Sequence, residues 1–190
     1  MMNRIFLRPQ AKLTIFTLIE LLASASLHQQ KARAAGNTAS ANANAYAHML
    51  IPIAITKVDD LNFGETYSGD SLLTISANST ESGSGTNVRK AAEFSLTGEG
   101  GHSFQFQLSG SSINMTTGDG SGGTKQIVVN NFTALPAFSS GVTGTTTFSG
   151  TSGTSGSKTI YIGGDRAAPV ASQVTGTYVS ANFTMTVTYN

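Results

Sequence analysis

The chain has 190 residues, with 11 Lys and Arg against 10 Asp and Glu, a formal net charge of +1, and no cysteine. So even a balance excludes a nucleic-acid binder, which needs a clustered basic surface, and the missing cysteines exclude disulfides and thiolate metal sites. Charged residues are only 11% of the chain, while 21 Gly and many Ser and Thr separate short alternating apolar runs, the composition of an all-β exported domain long enough for one core.

Arg4, Arg8 and Lys12 precede a mostly apolar run, Leu13 to Leu27, interrupted by Glu20. Small-x-small patterns end at Ala25 and at Ala34. This is the layout of a cleavable signal peptide over residues 1–34, and the apolar run is too short to span a bilayer comfortably. The remainder is therefore expected in the periplasm, at the cell surface or outside the cell, with no membrane span in the mature protein.

Residues 35–50 read as a linker and extension, and 51–190 as the folded domain. From Ala41 onward apolar residues alternate: Ala43, Ala45, Ala47, Met49, Ile51, Ile53 and Ile55. A period of two is a strand signal, but the tract is far longer than the usual 5–6 residues or so. Pro52 cannot donate to a ladder and favours an edge or a strand start. The first strand is therefore expected from Met49 or Ile51 through Val58, with Asn42–Leu50 an extension that has a strand's pattern but no assured place in its own sheet.

Short strands follow at Leu72–Ala77, Ala92–Gly98, His102–Leu108, Ile113–Met115, around Ile127–Val129, at Thr145–Phe148 and at Lys158–Gly163, with Gly-rich turns between them. Phe63, Phe94, Leu96, Phe104, Phe106, Leu108, Ile160 and Ile162 are the inward positions of this alternation. Gly176 opens a last ribbon to Asn190, in which Phe183, Met185, Val187 and Tyr189 share one face and Thr184, Thr186 and Thr188 the other. The expected fold is a single antiparallel β-sandwich, Greek-key and immunoglobulin-like, with no helix after residue 35.

No catalytic, cofactor or metal constellation emerges. His48 and His102 stand apart, with no partner at metal or triad spacing. Asp59 and Asp60 read as a turn or solvated pair, and Gly118–Gly123 as a flexible turn.

Leu61-Asn-Phe-Gly64, Phe94-Ser-Leu-Thr-Gly98, Ile160-Tyr-Ile-Gly-Gly164 and the ending Gly176-Thr-Tyr178…Phe183-Thr-Met-Thr-Val-Thr-Tyr-Asn190 occur in that order. Together they resemble the domain of unknown function 4402 family of bacterial exported proteins, over about residues 45 to 190. More distantly they resemble spore coat U and archaic chaperone–usher pilin domains, although those usually carry a disulfide near the first strand. The pilin resemblance implies a sandwich lacking one strand, filled by a pilus chaperone or by the extension of a neighbouring subunit. The implied donor positions are Ala43, Ala45, Ala47 and Met49. The implied acceptor strand carries Gly176, Tyr178, Phe183, Met185, Val187 and Tyr189. Self-association into a surface fibre or layer follows from it, without enzymatic activity. Two other readings stay open: a stand-alone secreted sandwich that binds glycan or protein through its loops, and a type IV pseudopilin-like protein. The latter rests on Phe16-Thr-Leu-Ile-Glu-Leu-Leu22, which is similar to a mature type IV pilin start but has Ile15 where that family has Gly.

Overall fold

The computed structural model describes residues 40–190 apart from 79, 86, 181 and 182, so the signal peptide and the pseudopilin-like start lie outside the described residues. The chain divides into two units, Met1–Ala47 and His48–Asn190. In the first, residues 40–47 are exposed and adopt no regular structure.

Among its described residues the second unit is all β, apart from a 3-10 turn at Gly123–Lys125. In chain order its strands are β1 (Ala54–Asp59), β2 (Asn62–Phe63), β3 (Leu73–Ile75), β4 (Arg89–Lys90), β5 (Ala92–Glu99), β6 (Ser103–Leu108), β7 (Ile113–Thr116), β8 (Gln126–Leu135), β9 (Phe138–Ser140), β10 (Thr143–Thr147), β11 (Ser155–Arg166), β12 (Val179–Ser180) and β13 (Met185–Tyr189). The larger sheet runs β1-β5-β11-β8-β7-β12, and β3 pairs with the far end of β11. The smaller runs β13-β6-β10-β9, and β2 pairs with β4 alone. Every pairing is antiparallel.

The core forms because the inward sets of the two sheets are large and the outward sets polar. β6 buries Phe104, Phe106 and Leu108 and exposes the residues between them. β5 buries Ala92, Phe94 and Leu96, and β11 contributes Ile160 and Ile162, both at 0% exposure. Phe104 stacks on Phe148 with ring centroids 4.2 Å apart, a geometry that adds to simple burial. Gly144 on β10 makes room for Phe106: a Cβ there would lie 2.2 Å from the ring.

Two expectations are corrected. The first strand begins at Ala54, not at Met49 or Ile51. Pro52 has no N–H to give, and the polar groups of Ile51 are taken by side chains rather than by a neighbouring strand. The ribbon 176–190 is not one strand either. Val179 and Ser180 pair with Thr116 and Met115 in the larger sheet, whereas Met185–Tyr189 pair with β6 in the smaller one. A period of two reports which face a residue takes, not which sheet its strand joins.

Candidate strand-acceptor groove and its latch

The two sheets end on the same side of the sandwich with an unpaired strand each. β1 is the last strand of the larger sheet and β13 of the smaller, and neither has a second neighbour among the described residues. Between them lies a cavity of about 350 Å³. Ala92, Phe94, Phe183 and Met185 line it with Ile55 of β1, and so do the polar residues Lys57, Asp59, Asp60, Ser180 and Thr184. Phe183 meets Phe94 edge-on at 6.2 Å and Phe132 at 5.7 Å. The groove thus offers apolar side chains between two rows of free backbone groups, which is what an added strand requires.

β1 borders this groove without entering the core. Its residues are exposed from Ala54 to Val58, and its ends do the holding. At its far end, Lys90 Nζ lies 2.7 Å from Asp59 Oδ2 and also bonds Glu81. The hydrogen bond to Asp59, and then that to Glu81, raises the Lys90 pKa above the usual lysine range. Asp60 pairs with Lys57 at 2.7 Å. Asp59 and Asp60 are therefore separate ion pairs rather than a joint site.

At its near end β1 is latched. The Ile51 N–H donates to Glu99 Oε2 at 3.1 Å, and the Tyr189 hydroxyl donates to the Ile51 carbonyl. Tyr189 also accepts the Glu99 N–H at 2.6 Å. Glu99 Oε1 accepts from the Gly153 N–H, from the Ser152 hydroxyl at 3.2 Å and contacts His48 Nε2 at 3.3 Å. Glu99 is 1% exposed, yet its carboxyl is held down to about 2. The Gly153 and Ile51 N–H groups are the main cause, with His48 and Ser152 adding to them against the cost of burial.

The residues expected to form the acceptor strand separate. Phe183 and Met185 line the groove. Val187 packs part-buried against the core, and Tyr189 serves the latch. Gly176 and Tyr178 line a different cavity, of about 680 Å³, with Phe63, Tyr67, Gln173 and Arg166. There the Tyr178 hydroxyl donates to the Val174 carbonyl at 2.6 Å and accepts from Gln173 Nε2. Arg166 is 3% exposed. Its Nη2 donates to the Ser71 carbonyl at 3.0 Å, while Nε and Nη1 have no partner among the described residues. Burial pushes its pKa down, with Asp70 opposing and Arg89 reinforcing the shift. Of the expected donor positions, Ala43, Ala45 and Ala47 are exposed residues of the first unit, and Met49 is 91% exposed.

His48 and His102, which stand apart in the sequence, come together in space. Their rings are parallel to within 11°, with centroids 6.3 Å apart. The donor atoms of His48, Glu99 and His102 all lie within 4.8 Å of one another. Part of this was readable: Glu99-Gly-Gly-His102 is a tight-turn sequence joining two alternating strands. The return of His48 to the same turn, by way of Ile51, carries no local signal.

The family model described as a domain of unknown function, number 4402, matches residues 53–189, and the chain belongs to that family. No curated protein and no solved structure matches the chain.

Proposed function

We propose that this domain is an exported structural subunit of a surface fibre or surface layer that assembles by strand addition, without catalysis. The observation that carries the reading is the pair of unpaired edges, β1 and β13, on either side of a cavity into which Ala92, Phe94, Phe183 and Met185 bring apolar surface. Open edges favour association with any extended chain, and a contact between an extension and a groove on another copy repeats head to tail into an open fibre.

The donor is the extension Asn42–Leu50, offering Ala43, Ala45, Ala47 and Met49. Ile51, Ile53 and Ile55 are already committed within the domain: Ile51 to the latch, Ile53 against the core and Ile55 to β1. Burying one large aliphatic side chain is worth roughly 1.5–3 kcal/mol, so three alanines and one methionine give a weak donor. Most of its hold must come from backbone hydrogen bonds to the two free edges. Such a donor suits a reversible layer or a groove first occupied by a chaperone.

The test compares the full chain with the fragment His48–Asn190, which keeps the latch and loses the donor positions Ala43, Ala45 and Ala47. The fragment is expected to aggregate or to bind a peptide of residues 42–50 in an extended conformation. A fragment that is a stable monomer and ignores the peptide sinks the reading.

The second cavity favours one other reading, a secreted module that binds glycan or protein. A buried guanidinium beside Tyr67, Gln173 and Tyr178 suits a ligand with an acidic group. An array of neutral and acidic glycans separates the two: binding abolished by Arg166→Met supports the module.

A further inference from the structure

We propose that His48, Glu99 and His102 form a transition-metal site, best suited to Zn²⁺, which fastens the beginning of the folded domain to the turn between β5 and β6. The site does not depend on the fibre reading and stands or falls on its own chemistry.

Two imidazoles and one carboxylate are a donor set for borderline divalent metals rather than for Ca²⁺ or Mg²⁺, which take oxygen ligands. The separation already present is suitable. Tetrahedral Zn²⁺ with bonds of about 2.0–2.1 Å places its ligands about 3.3 Å apart, and His48 Nε2 lies 3.3 Å from Glu99 Oε1. The third donor, from His102, is within 4.8 Å of the others, and a small rotation of its side chain closes the remainder. His102 is itself supported by the Tyr189 ring, edge-on at 6.2 Å.

The carboxylate is also prepared. Metal-binding groups are oriented by further hydrogen bonds, and those partners tune affinity. Glu99 is aimed by the N–H groups of Ile51 and Gly153 and by the Ser152 hydroxyl, so its orientation is set before any metal arrives. The His48 side chain is 55% exposed, which leaves an open side where water, or a group from another molecule, takes the fourth position.

The consequence is mechanical. His48 is the first residue of the folded unit, and a metal there ties it directly to Glu99 and His102. That bond adds to the two hydrogen bonds on Ile51 and sets how firmly the base of the extension is held. Removing the metal would loosen residues 48–51 without unfolding either sheet.

The experiment is calorimetric titration of Zn²⁺ into the metal-stripped full chain, with amide hydrogen exchange measured in parallel. One Zn²⁺ per chain is expected, together with slower exchange at residues 48–53. His48→Ala and His102→Ala should each weaken binding roughly tenfold or more while leaving the circular dichroism spectrum unchanged. Glu99→Gln should do the same, but the two histidine variants decide the matter if it does not fold. His28→Ala should bind like the parent. The proposal is overturned if Zn²⁺ fails to saturate below millimolar concentration, if Mg²⁺ binds equally well, if both histidine variants bind normally, or if the His28 variant loses the metal.

Discussion

β1 and β5 lie side by side in one sheet, in register from Ala54 opposite Thr97 to Lys57 opposite Phe94, with a shift before Asp59 meets Glu93, and they are held by different forces. β5 buries Ala92, Phe94 and Leu96 and is paired on both edges. β1 is paired on one edge and leaves Ile55 39% and Val58 51% exposed. Its attachment rests on ladder hydrogen bonds, the Asp59–Lys90 ion pair and the Ile51 latch. The difference teaches where the domain is finished and where it is not. Hydrophobic burial is complete around β5, β6 and β11, and the strand that should gain most from a further neighbour is β1.

Substitutions that damage the finished side should be the costliest. Phe104→Ala is expected to lose about 3–5 kcal/mol by removing a ring at 0% exposure, measured by urea unfolding. Gly144→Ala, which puts a methyl against the Phe106 ring, should cost about 1–3 kcal/mol through overpacking.

The latch is the next level. Tyr189→Phe strands the Ile51 carbonyl and the Glu99 N–H and should cost about 1–2 kcal/mol. Amide exchange should rise at residues 48–53 and stay unchanged in β6. Acid probes the same place. Glu99 is lowered from 4.5 to about 2 on folding, so its contribution is complete above pH 4.5 and is lost as pH falls from there toward 2. Exchange at Ile51, corrected for intrinsic rate, should accelerate in that window; an unchanged profile would show that the carboxylate does not hold the latch.

The smallest effect is expected at Ile55→Ala, about 0.5–1 kcal/mol, because the side chain is only partly covered. The contrast with β5 sharpens if the cost grows when the 42–50 peptide is added. If Ile55→Ala alone costs as much as Phe104→Ala, β1 is not an unfinished strand.

The core was legible because its rule is local. Phe94 and Leu96, Phe104, Phe106 and Leu108, and Ile160 and Ile162 follow the pleat and are buried as the pattern requires. What could not be read depends on distant partners. β11 runs on through Gly163 and Gly164, which look like a strand end, because Gly163 lets the β3 backbone approach: a Cβ there would lie 2.1 Å from the Ile75 carbonyl oxygen. Gly176 and Tyr178 read as the opening of the last strand, yet the Tyr178 hydroxyl is bonded to Val174 and Gln173 in a cavity of its own. Of the cavity between β1 and β13, only the shared face of Phe183 and Met185 was legible. The roles of Glu99 and Tyr189 at its end were not, because a buried carboxylate that captures a backbone N–H leaves no periodic trace.

The antiparallel pairing of Ile75 with Gly164, and of Leu108 with Met185, also governs when the domain can form. Each sheet waits for a segment from the last third of the chain, and contacts so far apart along the polypeptide make folding slow. A chain lacking its last third therefore stays open, and it shows bare strand edges until that segment arrives.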